Sequence, residues 1–587
     1  MIYPRISEIN TSREMVDVFR GYNHNLRIRD GEFYDMKNLS SDAYPILTTR
    51  KKRGVYLTSP NIKDIISKTY LCYIDGLDFV ICRGDTEERH KVLIQVETSQ
   101  PRQLVAMGAY VIILPDKRYI NIENPEDKGS IDQSLTETSG VTFEPCRADG
   151  TVYDITSSDT PPSNPNGGEA WYEPKSKVLR EYSSTTEEWI DIYNTYVKIS
   201  AIGLSRKFET GDAVKISGIT LDLAKGLNNT SFVIKKHLIQ PYMVVQATLD
   251  LAYLSTKTQE DVVTFERKMP DMDFIVESEN RLWGCKYGIN ADGELVNEIY
   301  ASKLGDFKNW NYFAGISTDS YAASVGTDGK FTGATTYLGH PIFFKENCMH
   351  KVYGNYPANF QIQTTTCRGV QPGCDKSIAT VNETLFYKSL TGVCVYDGSL
   401  PSEISMEFGE ERYHDAVAGA LGNKYYISMK DEKDESHLFV YDAAKGLWHK
   451  EDNTQVVDFC THKGELYYID YADKLVKTVR GTGVTETEPI KWEAVTGILG
   501  TDSPDKKYIS RIDVRMSLPV GSRVIFSAEY DSSGEWEHLF TMAGTSLKSF
   551  PVPVKPKRCD HLRLKFEGEG EAKIFSICKT IEEGSDT

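Results

Sequence analysis

An apolar double step, usually aromatic, recurs along the chain at nearly constant spacing. Phe343-Phe344 is followed by Phe386-Tyr387 after 43 residues and by Tyr425-Tyr426 after a further 39. A turn precedes each step, and a polar turn and a second strand-like run follow it. A period of about 40 to 50 residues is typical of the four-stranded blade of a β-propeller. The pattern therefore predicts several consecutive blades.

Packing between blades explains why two apolar residues stand side by side. Successive side chains of a strand point to opposite faces of the sheet, so each pair directs one ring toward each neighbouring blade. Sheets arranged around an axis in this way leave only short free edges. Residues 279–313 fit as an enlarged copy, with Trp283 on an inner strand and Trp310 after the outer turn, each covering a blade edge. We predict an all-β fold containing a six- or seven-bladed β-propeller.

The spacing breaks in three places, and these breaks predict further domains. Residues 56–130 hold the first blades and residues 271–484 the remaining ones. Between them, residues 131–270 combine a Pro-, Gly- and Ser-rich stretch with strand-like runs, which indicates a small β domain inserted into a propeller loop. Residues 485–587 alternate apolar and polar positions and predict a C-terminal β-sandwich. Residues 1–55 are expected to form an arm that packs on the propeller.

Charge and cysteine usage narrow the possible partners. The net charge of −17 argues against a protein that grips nucleic acid along its surface, but it suits a surface that DNA must pass without adhering. One basic cluster could contact phosphate or an acidic neighbour, or could be a solvated turn; it comprises Arg50, Lys51, Lys52 and Arg53. The 11 cysteines have no paired spacing, as expected for reduced thiols. No stretch has the length and apolarity of a membrane span.

Residues that could carry catalysis form no recognisable set. A propeller glycosidase needs paired carboxylates beside the sugar bond, yet Asp306, Asp397 and Asp442 follow outer strands, where aspartate commonly forms turns. His414 and His437 have no evident cysteine or serine partner. Phosphate-binding loops, nucleophile elbows and HExxH motifs are absent from the sequence. We predict no enzyme activity, no cofactor and no metal site.

Two stretches resemble a known protein family. The segment FRGYNHNLRIRDGEFYDMKNLSSDAYPILTTRKKRG, residues 19–54, resembles the opening of bacteriophage virion structural proteins, in which such a line precedes a propeller. The segments ENRLWG and EIYASKLGDFKNW, within 279–310, are similar to a blade of packaged-DNA stabilisation proteins. Those proteins form the hub or nozzle of short-tailed phages. A looser match of blade pattern extends over residues 60–480.

The resemblance implies a place in the virion. A tail nozzle is a ring of identical propellers, commonly six, docked under the head-to-tail adaptor, where it closes the DNA channel and retains the packaged genome until ejection. The implied partners are other copies of the chain, the adaptor, tail fibres or other tail proteins, and passing DNA without sequence-specific binding or membrane insertion. The implied location is the virion tail, assembled in the bacterial host cytoplasm. The arm residues expected to pack on the propeller are Tyr22, Asn23, Phe33, Tyr44 and Pro45.

Two other functions remain open from the sequence. A receptor- or carbohydrate-binding tail protein would stack sugars on aromatic side chains of the inserted domain. The candidates for this role are Trp171, Tyr172, Tyr182 and Trp189. We favour the alternative that they close a small core, since buried aromatic residues dominate such cores. A propeller glycosidase acting on a bacterial surface polysaccharide is the third possibility.

Overall fold

The regular structure is almost entirely β. The computed structural model describes residues 11–59, 61–84, 86–95, 101–192, 195–237, 241–249, 257–290, 293–481, 484–500, 506–554 and 557–583. Its helical segments are short, and in this part of the chain none has the length and apolarity to cross a membrane. They are the α-helix Leu204–Lys207 and the 3-10 turns Asp222–Leu227, Pro357–Asn359, Asp375–Ser377 and Met406–Phe408.

The strands are numbered in chain order. The first are β1 Thr11–Val16, β2 Gly21–Tyr22, β3 Glu32–Lys37, β4 Leu39–Ser40, β5 Leu47–Thr49 and β6 Gly54–Leu57. Two four-stranded sheets follow: β7 Ile62–Ser67, β8 Leu71–Asp75, β9 Asp78–Arg83, β10 Thr86–Lys91, β11 Gln103–Met107, β12 Tyr110–Leu114, β13 Arg118–Asn121 and β14 Lys128–Ser130. The next twelve strands are β15 Gln133–Glu137, β16 Val141–Cys146, β17 Ile155–Ser157, β18 Ala170–Glu173, β19 Val178–Ser183, β20 Glu188–Asp191, β21 Tyr196–Ser200, β22 Ala213–Ser217, β23 Thr230–His237, β24 Tyr242–Gln246, β25 Thr258–Gln259 and β26 Val263–Arg267.

The second half of the chain continues the numbering. Its first strands are β27 Phe274–Ser278, β28 Arg281–Ile289, β29 Leu295–Ala301, β30 Tyr321–Ser324, β31 Phe331–Tyr337, β32 His340–Lys345, β33 Cys348–Tyr353, β34 Gln361–Thr366, β35 Ala379–Val381, β36 Thr384–Lys388, β37 Val393–Tyr396 and β38 Ser402–Glu403. Then come β39 Tyr413–Leu421, β40 Lys424–Asp431, β41 Ser436–Asp442, β42 Leu447–Lys450, β43 Val456–His462, β44 Glu465–Asp470, β45 Val476–Thr478 and β46 Val484–Thr485. The last strands are β47 Lys491–Thr496, β48 Lys507–Tyr530, β49 Trp536–Val552, β50 Leu562–Glu569 and β51 Lys573–Glu583.

Seven antiparallel sheets, counted over the described residues, are the blades of a propeller. Blades 1 and 2 are β7–β10 and β11–β14, blades 3 to 6 run from β27 to β42, and blade 7 begins with β43–β45. The innermost strand of blade 7, β43, packs against β7 of blade 1, so the ring is closed. Strand β6 completes blade 7 by pairing with β45, Gly54 opposite Thr478. The predicted all-β propeller is confirmed, with seven blades.

The aromatic double steps hold neighbouring blades together. Phe343 of blade 4 lies in a cluster with Trp283 of blade 3, whereas Phe344 contacts Tyr387 of blade 5 at a centroid distance of 5.0 Å. In blade 6, Tyr425 lies 5.1 Å from Phe386 of blade 5. The side chains of each step therefore enter two different interblade cores, because adjacent residues of a strand face opposite ways.

Two sheets lie between blades 2 and 3. The larger has eight strands in the order β15-β26-β22-β23-β24-β21-β16-β25, and the smaller is β17-β18-β19-β20. The eight-stranded sheet has a core of its own around Phe143, Phe208 and Phe265. It contacts the propeller where the amide of Ala213 donates to the side-chain oxygen of Asn309, in the turn after β29, at 2.8 Å.

Both ends of the described chain meet in one ten-stranded sheet, here called the terminal sheet. It contains β1–β5 and β47–β51, and β1 pairs with β51, Thr11 opposite Glu582. The first half of β48 pairs with β51 and the second half with β50, so this long strand serves both parts of the sheet. Val514 and Phe526, from its two halves, lie in the same hydrophobic cluster. The described residues of the expected arm thus belong to the same sheet as the C-terminal strands, since β1, β3 and β5 pair with strands more than 400 residues away.

Candidate interaction site

The basic segment 50–53 runs between the terminal sheet and blade 7, and its two arginines are buried. Arg50 donates through Nε to the side-chain oxygen of Asn38 at 2.7 Å and through both terminal nitrogens to Glu486 at 2.7 and 2.9 Å. Burial opposes ionisation of Glu486, but the hydrogen bonds from Arg50 lower the pKa of this carboxyl. Arg50 therefore fixes the start of the closing strand β6 to the segment after β46.

Arg53 makes a second buried ion pair, toward blade 6. Its guanidinium lies 2.6 Å from Glu451 and 2.9 Å from Asp452, both directly after β42. Burial alone would raise the pKa of Asp452, but the charge of Arg53 and a hydrogen bond from Thr454 hold it at about 2. Burial also disfavours the charged guanidinium, yet Asp452 raises the pKa of Arg53 well above its usual value. The arginines are thus structural, contrary to the solvated-turn alternative.

The two lysines between the arginines face a cleft instead. Lys51 and Lys52 line it together with Arg480, which follows β45, and Lys573, the first residue of β51. We call this cavity of about 560 Å³ the basic cleft. Within the described ranges, none of these four side chains makes a hydrogen bond or an ion pair. Sequence reasoning found the two lysines but missed Arg480 and Lys573, which no local signal connects to them.

The arm residues are distributed over two environments rather than one site. Tyr22 and Phe33 are buried, and Tyr22 packs against Phe439 of blade 6 at 5.5 Å. Asn23 donates to Glu32 within its own segment at 2.8 Å. Tyr44 is exposed, and the carbonyl of Pro45 accepts from the amide of Phe19. Tyr22 and Phe33 thus share a hydrophobic cluster with blade residues, and Lys445 of blade 6 lies 5.2 Å from the ring of Tyr44.

Trp283 and Trp310 are buried between blades. Trp283 lies on β28, the second strand of blade 3, and packs edge-on against Phe360 of blade 4 at 4.9 Å. Trp310 belongs to a cluster between blades 2 and 3 and donates from its indole nitrogen to the carbonyl of Phe307 at 2.9 Å. Both side chains are 4% exposed or less, so they act in packing and are not available to a partner.

The aromatic residues of the small sheet β17–β20 are divided between its two faces. Tyr172 is buried in a local core, and Trp171 is 6% exposed under the guanidinium of Arg180, 5.0 Å from its ring. Trp189 and Tyr182 are half-buried and pack edge-on against each other at 5.4 Å. Trp171 and Tyr172 therefore offer no ring face to a sugar, in agreement with the small-core alternative. Only the two half-buried rings could contact a ligand.

A second charged cavity, of about 220 Å³, lies at the propeller axis and was not found from sequence. Lys376 lies 2.9 Å from Asp458 of blade 7 and 3.7 Å from Asp64 of blade 1. Burial raises the pKa of Asp64 and of Asp375, although Lys376 opposes this. The inner strands of several blades bring these residues together, and no sequence spacing connects them.

The remaining candidate acids occupy turns. Asp306, Asp397 and Asp442 each accept a hydrogen bond from the backbone amide two residues later, at 3.0, 3.0 and 3.2 Å. This is the side-chain-to-backbone pattern of an Asx turn. The three side chains lie in different blades, so they form no common site. Asp442 also accepts from Ser41 of the terminal sheet at 2.6 Å.

One group of side chains at the β40–β41 turn has metal-ligating types. Ligand atoms of Asp431, Glu435 and His437 lie within 4.8 Å of one another. Asp431 already accepts from the backbone amides of Lys433 and Glu435 and lies 3.0 Å from the ring nitrogen of His437. His414 interacts with the backbone carbonyl of Asp431. Hairpin hydrogen bonds account for this arrangement.

Comparison with known proteins gives no family for the chain. No family model and no curated protein matches it. Among solved structures, an exo-β-1,3-galactanase from Phanerochaete chrysosporium aligns at 8% identity over 52% of this chain and 94% of its own, with a TM-score of 0.21. The β-propeller domain of the Trilobed protease from Pyrococcus furiosus aligns at 8% identity over 74% and 97%, with a TM-score of 0.27. An acylaminoacyl peptidase from Pyrococcus horikoshii aligns at 11% identity over 54% and 55%, with a TM-score of 0.25. These similar structures include enzymes, and at such scores none assigns a function.

Proposed function

We propose that the protein is a structural component of a phage tail, a hub or nozzle subunit that forms a homo-oligomeric ring below the head-to-tail adaptor and retains the packaged DNA until ejection. The observation that carries this proposal is the position of residues 19–54. This stretch bears the family resemblance, and it joins the terminal sheet to blades 6 and 7 through Tyr22, Arg50 and Arg53. Such buried connections suit a subunit that must stay rigid under the pressure of packaged DNA.

Charge supports the same proposal. The net charge of −17 would keep DNA from adhering to a channel wall made from this protein. Reduced cysteines, mostly buried, suit assembly in a bacterial cytoplasm. We also propose that the protein is not an enzyme, since the candidate aspartates of the outer turns accept backbone hydrogen bonds in separate blades.

The mass of the purified chain in solution, measured by light scattering and followed by negative-stain imaging, tests the proposal. We expect a ring of several copies, about six by the resemblance, with an open axis. Addition of the head-to-tail adaptor should increase the fraction of the protein that is found in rings. A chain that stays monomeric at every concentration and with adaptor present would contradict the nozzle assignment.

A second candidate function rests on the axial cavity. Asp64 and Asp375 have pKa values raised by burial, a property that a general acid in glycoside hydrolysis requires. Release of reducing sugars from bacterial surface polysaccharides, lost in Asp64→Asn and in Asp375→Asn, would support a glycosidase and contradict the structural role. The ion pairs of Lys376 with two of the surrounding carboxylates favour a structural role for this cluster.

A further inference from the structure

The basic cleft carries positive charge that its surroundings do not balance. Lys51, Arg480 and Lys573 are exposed and Lys52 is half-buried. Of the two carboxylates that line the cleft, Asp42 is already paired with Lys424 at 2.6 Å. The charge of Lys51 also acts on Asp42, without forming an ion pair. Glu571 is the remaining carboxylate, so the four cations exceed the acids that line the described part of this cavity.

The neighbouring residues show that this imbalance is local. Arg50 and Arg53, on either side of the two lysines, are paired with the carboxylates of Glu486, Glu451 and Asp452. In a chain of net charge −17 there are enough acids to pair every cation. Like charges held close together repel one another, and an anionic ligand removes this repulsion. The four cations therefore form a binding surface for negative charge rather than part of the ion-pair network.

The volume and the lining residues of the cleft suit a short peptide. Its volume of about 560 Å³ lies within the range of about 300–1,000 Å³ that is typical of ligand sites. Its walls combine hydroxyl-bearing and apolar residues from the terminal sheet and the segment that precedes it; these are Thr48, Thr49, Ser517, Pro519 and Ile490. A mixed wall beneath a basic rim suits a peptide, whose acidic side chains reach the cations while its backbone and methylene groups contact the wall.

We propose that the basic cleft binds an acidic peptide segment of a protein partner. Arg480 can bind a carboxylate with two parallel hydrogen bonds, and the lysines act as point charges around it. Nucleic acid fits less well for two reasons. No described lining residue is aromatic, so none offers a surface for stacking bases. The rest of the chain carries a net charge of −21 once these four cations are set aside, so a duplex extending past the cleft would face like charge.

This inference does not depend on the tail assignment. It rests on the unpaired cations and the cavity, and it holds for an oligomer or a monomer. The proposed ligand is an acidic segment of a partner protein, and the experiment below compares it with nucleic acid.

Fluorescence anisotropy with the full chain tests the inference. The probes are a labelled oligoglutamate of about ten residues and a labelled DNA duplex long enough to stay base-paired, at about 50 mM salt where screening is weak. The cleft variant combines Lys51→Glu, Lys52→Glu, Arg480→Glu and Lys573→Glu. The matched control reverses four exposed lysines outside the cleft and changes the net charge equally; these are Lys215→Glu, Lys235→Glu, Lys330→Glu and Lys433→Glu.

We expect the native chain and the control to bind oligoglutamate alike and the cleft variant to bind it at least about tenfold more weakly. Circular dichroism checks that the variants are folded. If the cleft variant is not folded, a variant with Arg480→Gln and Lys573→Gln replaces it. Equal binding by the cleft and control variants, or no binding by the native chain, would overturn the proposal. Tighter binding of the duplex that is lost only in the cleft variant would also overturn it and would identify a nucleic-acid site.

Discussion

The propeller and the terminal sheet both consist of antiparallel strands, but the paired strands are separated by different distances along the chain. Within the blades, strands pair with their neighbours in the chain, with β6 as the exception. In the terminal sheet, β1 pairs with β51 and β3 with β47. A blade can therefore form from one continuous stretch of sequence, whereas the terminal sheet forms only when strands from both ends of the described chain are present. Tyr22 and Arg53 connect the two regions.

Two deletions of similar length should show the largest difference. Removal of residues 11–49 takes five strands from the terminal sheet. Buried residues of that sheet and of blade 6 then become exposed to solvent, so we expect no cooperative unfolding transition. Replacement of residues 155–191 by a Gly-Ser linker removes the small sheet β17–β20, whose strands pair only with one another in the described structure. We expect this control to unfold cooperatively, with a free energy changed by less than about 1 kcal/mol. Urea denaturation followed by fluorescence distinguishes the two, and equal behaviour would contradict the comparison.

Tyr22→Ala removes the aromatic contact between the terminal sheet and blade 6. Tyr22 is 2% exposed and packs against Phe408 and Phe439. We expect the free energy of unfolding to fall by about 4 kcal/mol, as for other large buried aromatic side chains. The exposed Tyr44 provides the control, since Tyr44→Ala should cost less than about 1 kcal/mol. Similar losses in both variants would mean that Tyr22 does not join the regions.

Arg53→Met tests the buried ion pair. The substitution removes the cation from Glu451 and leaves Asp452 with the longer contact to Arg50, at 3.9 Å. It should cost about 3 kcal/mol because Glu451 stays buried. Lys51→Met, two residues away in the basic cleft, should change the free energy of unfolding by less than about 0.5 kcal/mol. Chemical denaturation measures both, and the prediction fails if Lys51→Met costs as much as Arg53→Met.

Acid should weaken the same contact in a defined pH range. The pKa of Asp452 is about 2 in the fold, below the ordinary value of 3.8. A lowered pKa stabilises the folded state above the unfolded-state value, and this stabilisation is lost as the pH falls toward the folded-state value. The free-energy difference between the native chain and Asp452→Asn should therefore shrink by about 2 kcal/mol from about pH 5 to about pH 2. A constant difference in urea titrations over that range would exclude this role of Asp452.

The blades could be predicted because their signal is local. The aromatic pairs Phe343-Phe344 and Tyr425-Tyr426 each predict a strand. They also predict that this strand lies between two interblade cores. Strand β6 carries no comparable signal, since the four residues Gly54–Leu57 find their partner in β45. Alternation in residues 485–587 predicts half-buried strands, but it does not reveal that they pair with the remote strands β1, β3 and β5.

The interaction site was predictable only in part. Four consecutive basic residues mark positions 50–53, but sequence cannot separate the buried arginines from the lysines. The carboxylates that bind Arg50 and Arg53 are 436 and 398 residues away. Arg480 and Lys573 reach the basic cleft through folding alone. The tail function stays a prediction, since the family resemblance lies in short segments.

Completion of blade 7 by β6 also sets an order of events during synthesis. Gly54 leaves the ribosome 424 residues before Thr478, which it must meet. At about 5–20 residues per second, this delay lasts about 20 to 85 s. Blades 1 to 6 can fold during that time, while β6 has no strand to join. Blade 7 is therefore completed only after most of the chain has been translated, and a ribosome stalled before residue 478 leaves β6 without its partner strand.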